Sequence, residues 1–117
     1  EETFLPMADL PPTEWDESIA RNLDTCFNIT RAVLPDMIKN HYGRIVNVSS
    51  VTGPLVSNPG ETAYSAAKAA IAGFTRTLSR DMVDFGVTAN AIAPGFIATD
   101  MTAPFSSVKW VSRPAWS

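Results

Sequence analysis

The chain has 117 residues, with 12 acidic and 9 basic side chains and a formal net charge of -3 at pH 7. This length suits one domain that is large enough to bury a hydrophobic core. The absence of runs of lysine or arginine argues against nucleic-acid or membrane partners. The chain has one cysteine, Cys26, which excludes an intramolecular disulfide and favours a cytoplasmic location. Because it also has only one histidine, His41, it lacks a cluster of zinc ligands, and we expect no metal site.

The first predicted element is a long helix. After an irregular lead-in, Thr13 followed by Asp16 resembles a weak capping box, and the helix runs to about Lys39. Gly43 is expected to close the helix in the left-handed conformation. The apolar stripe of this helix, with the cysteine packed beside it, comprises Ile19, Leu23, Phe27, Leu34, Met37 and Ile38.

Two short strands are predicted on either side of a second helix. RIVNVSS carries no charge after Arg44 and is rich in β-branched residues, which is typical of a strand covered on both faces. A loop rich in glycine and proline follows, then an alanine-rich helix that Gly86 can cap, then VTANAIA, which Pro94 stops. A strand, a helix and a strand form a βαβ unit, so we predict an α/β fold with a parallel sheet.

Within the second helix, Tyr64 and Lys68 lie four residues apart and therefore on one face. One interpretation is that Lys68 lays its methylene stem along an apolar stripe, with its ammonium in water, and that Tyr64 is ordinary packing. The other is that an ammonium beside a phenol lowers the pKa of that phenol, so that the tyrosine can exchange a proton near neutral pH. The pair alone favours the first interpretation. The stripe continues through Ile71, Thr75, Leu78 and Met82.

The ends of the predicted strands carry further candidates. Ser49 and Ser50 end the first strand, Pro94 and Gly95 end the second, and the tyrosine–lysine pair opens the helix between them. A lone serine at a strand end is usually a turn or cap residue. Ligands of open parallel sheets, however, bind beyond the carboxyl ends of the strands, so three such features on one edge predict a site there.

Four sequence blocks resemble the short-chain dehydrogenases/reductases, and within them the 3-oxoacyl-carrier-protein reductases and acetoacetyl-CoA reductases. The blocks are RNLDTCF, GRIVNVSSVTG, AYSAAKAAIAGFTRTLSRDM and VTANAIAPGFIATDMT. A bare tyrosine-x-x-x-lysine is a weak motif, but four blocks in order are specific. The resemblance covers about Phe4 to Thr102 and implies part of a Rossmann-like doubly wound parallel sheet. Residues 1–102 would be its catalytic half, and residues 103–117 a tail outside the family's pattern.

The resemblance implies a role for each matched residue. Tyr64 matches the family's proton donor, and Lys68 matches the residue that holds the nicotinamide ribose. Ser50 matches the serine that hydrogen-bonds the substrate carbonyl, with Ser49 as the less favoured neighbour. Asn22, otherwise an ordinary polar helix residue, matches an asparagine whose helix is locally disturbed so that a water links the lysine to solvent. The residues that fall where the family contacts the nicotinamide amide and the adjoining phosphate are Pro94, Gly95, Ile97 and Thr99.

The activity implied by the resemblance is reduction of a ketone to a secondary alcohol, with a 3-oxoacyl thioester as the favoured substrate. The implied cofactor is NADP or NAD, with NADPH favoured. The resemblance also implies a homo-oligomer that pairs through the two long helices. The alternative is a catalytically inactive fragment that folds as a helix-rich homo-oligomer without cofactor.

The glycines limit this expectation. Dinucleotide binding needs a glycine-rich turn where the backbone approaches the pyrophosphate. The chain has six glycines, and no two are close enough to form that turn; they are Gly43, Gly53, Gly60, Gly73, Gly86 and Gly95. The sequence also does not begin with methionine. We therefore expect a partial chain that is inactive on its own.

Overall fold

The computed structural model describes residues 4–100, and all structural statements below concern that range. Its helices are α1 (Pro12–Ile19), α2 (Thr25–Lys39) and α3 (Thr62–Asp81), and its strands are β1 (Gly43–Val48) and β2 (Val87–Ile92). A π-helical segment, Ala20–Asp24, joins α1 to α2, and short 3-10 helices span Met7–Asp9 and Val83–Phe85. In this part of the chain no helix is long and apolar enough to cross a membrane.

The first long helix begins one residue earlier than predicted. Its N-cap is Pro11, no side chain caps it, and Pro12 occupies the first helical position. Proline suits that position because its missing N–H would have no partner within the helix. The capping box predicted at Thr13 is therefore wrong, whereas the end of the helix at Lys39 is confirmed.

The turn between α2 and β1 differs from the prediction. The left-handed residue is His41, with φ 49°, and not Gly43. Gly43 is needed for another reason, because a Cβ there would lie 2.5 Å from the sulfur of Met37. The glycine thus lets the last turn of α2 pack directly on the start of β1.

The strands form a parallel pair joined through α3, which confirms the predicted βαβ unit. Gly43 is opposite Val87, and the register continues to Val48 opposite Ile92. Of the apolar stripe predicted for α3, Ile71, Thr75 and Leu78 are buried, and Met82, just after the helix, is half-buried. Together with the buried face of β2 this stripe forms the core of the described residues, which includes Ala67, Ile71, Leu78, Val87 and Ala89.

The second face of the sheet is open. The side chains of Val46, Val48 and Ile92 are 61%, 53% and 49% exposed. The prediction that β1 is covered on both faces is wrong for residues 4–100, because burial alternates along this strand. The apolar residues on its exposed face hid that alternation in the sequence.

Gly86 ends the α3 region in the left-handed conformation, with φ 68°. A Cβ there would collide with the carbonyl oxygen of His41. We expect Gly86→Ala to lower the free energy of unfolding by about 2 kcal/mol or more, since left-handed strain alone costs about 1–2 kcal/mol.

Urea unfolding of the 117-residue chain measures this loss. Gly60→Ala is the matched control, because Gly60 also has a positive φ of 82° but a Cβ there would meet no atom closer than 3.4 Å. Equal losses of unfolding free energy for the two variants would contradict the expected collision between the Cβ at position 86 and the carbonyl oxygen of His41.

Candidate active site

Tyr64 and Lys68 lie on the N-terminal turns of α3, and both side chains are half-buried. The Lys68 ammonium donates a hydrogen bond to the carbonyl oxygen of Val48 at 3.1 Å. Its nitrogen lies 5.7 Å from the centre of the Tyr64 ring. The positive charge is therefore held at the carboxyl end of β1 and beside the phenol. The interpretation in which the lysine acts on the tyrosine stays a prediction.

The two serines after β1 have different environments. Ser49 is buried, its hydroxyl donates to the carbonyl oxygen of Lys68 at 2.7 Å, and its N–H donates to Ile92 at 2.8 Å. The Ser50 hydroxyl is half-buried and accepts a hydrogen bond from the N–H of Thr52 at 3.1 Å. In that bond the Ser50 hydroxyl is the acceptor, whereas the Ser49 hydroxyl is a donor that joins the strand end to α3.

This difference predicts that removing the Ser49 hydroxyl costs more stability than removing the Ser50 hydroxyl. Ser49→Ala should lower the free energy of unfolding by about 1 kcal/mol, the usual net worth of a buried hydrogen bond. Ser50→Ala should change it by less than half of that, because its hydroxyl is half-buried. Chemical denaturation of the two variants beside the parent chain tests whether Ser49 is the structural serine. A larger loss of unfolding free energy for Ser50→Ala than for Ser49→Ala would contradict this.

Asn22 lies in the π-helical segment, at the place where the resemblance predicts a local disturbance of the helix. Its side-chain amide donates to the carbonyl oxygen of Ser18 at 3.0 Å and to the Ser18 hydroxyl at 3.3 Å. The segment packs against α3, the helix that carries Lys68. Single π-helical turns of this kind are frequent at functional sites.

Cys26 follows Asn22 by one helical turn. Burial raises the pKa of its thiol above the ordinary value, while a hydrogen bond with the Thr30 side chain and the positive charge of Lys68 oppose that rise. The thiol is therefore a small neutral group at physiological pH, as predicted, but its closeness to Lys68 was not predicted.

The loop after β2 adjoins the loop after β1. The N–H of Val51 donates to the carbonyl oxygen of Pro94 at 3.1 Å, so the structure brings these two predicted regions together. Farther along, Gly95, Ile97 and Thr99 are exposed. Within residues 4–100 no group of three or more histidine, cysteine or acidic side chains could hold a metal ion.

Comparison with known proteins identifies the family. The family model described as short chain dehydrogenase matches residues 2–110. The chain belongs to the short-chain dehydrogenase family. It is 51% identical over 89 residues to a 3-oxoacyl-[acyl-carrier-protein] reductase of Synechocystis, covering 76% of this chain and 36% of that protein. It is 49% identical over 94 residues to nodulation protein G of Azospirillum brasilense, covering 80% of this chain and 38% of that protein.

Two solved structures of short-chain dehydrogenases superpose on the chain. One is a gluconate 5-dehydrogenase from Burkholderia cenocepacia in complex with NADP and tartrate, with a TM-score of 0.80, 31% identity, and coverage of 86% of this chain and 39% of that one. The other is an acetoin dehydrogenase from Enterobacter cloacae, with a TM-score of 0.80, 32% identity, and coverage of 92% and 42%. These matches confirm the Rossmann-like fold class. The chain spans well under half the length of each of these relatives.

Three predictions are not tested by the described residues. The tail at residues 103–117 lies wholly beyond the described range, which ends at residue 100. The division at residue 102 and the roles of the individual site residues remain predictions.

Proposed function

We propose that the chain carries the proton-transfer half of the active site of an NAD(P)-dependent carbonyl reductase, with a 3-oxoacyl thioester as substrate. The observation that carries this proposal is the Lys68 ammonium, held at the carboxyl end of β1 and 5.7 Å from the Tyr64 ring. The identity to the Synechocystis reductase supports the substrate class, and the NADP bound in the Burkholderia structure supports NADPH. Family membership does not favour the alternative of a protein without cofactor or catalysis.

The residues at the sheet edge fit one end of a nicotinamide cofactor. The half-buried Lys68 ammonium lies at the carboxyl end of β1, and an ammonium group is a suitable donor to the hydroxyls of a ribose. The loop of half-buried Pro94 and exposed Gly95, Ile97 and Thr99 follows β2 at the same edge, where its backbone can meet the nicotinamide amide and a phosphate. When bound, the reduced cofactor supplies a hydride to the ketone carbon.

The proposed chemistry of the chain's own residues is proton transfer and charge stabilisation. The Tyr64 hydroxyl gives its proton to the ketone oxygen, and the Ser50 hydroxyl donates a hydrogen bond to the same oxygen as negative charge develops there. The nearby Lys68 ammonium stabilises the phenolate that remains. In the oxidative direction the same phenolate takes the proton back.

Asn22 is proposed to act through its backbone position. A π-helical turn disrupts the regular ladder of helical hydrogen bonds, so a carbonyl in it can accept a hydrogen bond from a water. Because the segment Ala20–Asp24 packs against α3, that water would lie between α3 and solvent and return a proton to Lys68.

A hybrid enzyme tests the proposed function. In this hybrid reductase, the chain's residues replace the matching 89-residue segment of the Synechocystis protein. We expect it to consume NADPH with a 3-oxoacyl thioester, measured by the loss of NADPH absorbance. The Lys68→Met hybrid is the control. A folded hybrid that binds NADPH but reduces no ketone would contradict the proposal.

The groove between α2 and α3 supports the proposed self-association. Phe27, predicted to pack in the α2 stripe, is instead 50% exposed beside this groove, where Leu34, Ile38 and Phe74 also lie. A second copy would cover this apolar surface. We expect the 117-residue chain to be a dimer or larger at micromolar concentration, as measured by light scattering.

A pair of substitutions locates the contact. Phe27→Glu should shift the chain toward monomer, because it places a charge in the apolar groove. Val83→Glu is the matched control, since Val83 is 72% exposed on a 3-10 helix that does not line the groove. A compact monomeric parent chain would contradict the prediction.

A further inference from the structure

We propose that Gly53 is a positioning residue, which seats the loop carrying Ser50 on the first turns of α3 and so fixes Ser50 relative to Tyr64. This inference rests on the proposed function, in which these two hydroxyls meet one substrate oxygen. Neither the resemblance nor the spacing of the motif assigned this glycine a role in catalysis.

Gly53 lies directly on the backbone of α3. A Cβ at this position would be 2.5 Å from the carbonyl oxygen of Ser65 and 3.0 Å from the backbone nitrogen of Ala69. Both atoms belong to the helix backbone, so neither can rotate aside as a flexible side chain could. The φ of Gly53 is also 109°, a conformation that residues with side chains rarely adopt. Only glycine allows this contact, and Ser65 follows Tyr64 directly in the chain.

On the other side, Gly53 belongs to a closed turn that ends at Val56. The N–H of Gly53 donates to the carbonyl oxygen of Val56 at 2.6 Å, and the N–H of Val56 donates to Val51 at 3.0 Å. The N–H of Thr52, the residue before Gly53, donates to the Ser50 hydroxyl at 3.1 Å. The turn therefore moves as a unit, and the Ser50 hydroxyl is bonded to it.

These contacts connect the two proposed catalytic hydroxyls through one glycine. To bring a Cβ from 2.5 Å to an ordinary contact of at least 3.4 Å, the turn must move away from α3. The Ser50 hydroxyl would move with it by roughly 1 Å, and displacements of that size in catalytic geometry can cost about a hundredfold in rate. Ser49 would stay in place, because its own bonds join it to Lys68 and Ile92.

Kinetics of the hybrid reductase test this inference. We expect Gly53→Ala to lower kcat by about 10- to 100-fold while the KM for NADPH changes less than about threefold, since the cofactor contacts lie on other loops. Gly60→Ala is the matched control, because Gly60 also has a positive φ and lies in the same loop, but a Cβ there would not collide with another atom. It should leave kcat within about twofold of the parent.

A double-mutant cycle separates positioning from a general loss of structure. In the Ser50→Ala background, Gly53→Ala should lose most of its effect on kcat, because the group that it displaces is already gone. Additive losses, or equal kcat losses for Gly53→Ala and Gly60→Ala, would overturn the inference. If Ser50→Ala itself left kcat unchanged, the proposed role of Ser50 would fail instead.

Hydrogen exchange of the 117-residue chain gives a readout that does not depend on catalysis. Peptides covering Thr52 to Val56 should exchange faster in Gly53→Ala than in Gly60→Ala, and unchanged exchange would overturn the inference. If Gly53→Ala does not fold, Thr52→Gly loosens the same turn without adding an atom. Thr52→Gly should then also lower kcat, by a smaller factor than Gly53→Ala. An unchanged kcat would overturn the inference.

Discussion

Tyr64→Phe in the hybrid reductase is expected to lower kcat for ketone reduction by about 10²- to 10⁴-fold, the usual contribution of a positioned general acid. The substitution removes only the hydroxyl, so the half-buried ring can keep its place beside Lys68. The KM for NADPH should change little, because the phenylalanine removes one of several contacts at one end of the cofactor. Steady-state kinetics, with circular dichroism to check the fold, measure the effect.

Two further substitutions make this result specific. Lys68→Met should cause nearly the same loss as Tyr64→Phe, because it removes the charge that stabilises the phenolate. Tyr42→Phe is the matched control, since Tyr42 is 63% exposed beside Arg44 at the opposite end of β1. A Tyr64→Phe enzyme that keeps more than about a tenth of the parent kcat would not fit general acid catalysis by this residue.

The second large effect concerns the cofactor. The 117-residue chain by itself is expected to bind NADPH only with a millimolar or weaker dissociation constant. Its proposed contacts address the nicotinamide end of a long ligand, and its glycines are too far apart to form a pyrophosphate-binding turn. Each missing charge-assisted hydrogen bond is worth about 1.5–3 kcal/mol, and about 1.4 kcal/mol is a factor of ten in affinity.

Calorimetry of the purified chain, compared with the hybrid reductase under the same conditions, measures this difference. The hybrid should bind NADPH several powers of ten more tightly, because it includes the rest of the domain. A micromolar dissociation constant for the chain alone would refute the prediction, and it would indicate that a second copy completes the site.

The order of the elements and the position of Tyr64 and Lys68 were predictable from the sequence. The alanine-rich stretch specifies a helix, and the spacing of Ile71, Thr75 and Leu78 identifies its buried face. A strand, a helix and a strand can then connect only as a parallel pair, which places Ser49 and Ser50 at the same edge as the helix start. The shared position of these residues at one sheet edge follows from these local signals, whereas their roles were predicted from the resemblance to the family.

The features that were missed depend on contacts between distant residues. The left-handed turn falls on His41, and Gly43 instead lies where the side chain of Met37 packs. The proposed role of Gly53 likewise depends on the carbonyl oxygen of Ser65, which no local pattern reveals. The burial of Ser49 against Lys68 also became visible only when β1 and α3 were placed together.

A crystal structure of the hybrid reductase with NADP and an unreactive ketone analogue tests the central claim most directly, namely that Ser50 and Tyr64 act on one carbonyl beside Lys68. We predict that both hydroxyl oxygens lie about 2.6–3.2 Å from the oxygen of the analogue. We also predict that the Lys68 ammonium donates to the nicotinamide ribose. An analogue bound with its oxygen out of reach of the Tyr64 hydroxyl, in a site otherwise filled by the cofactor, would contradict the account.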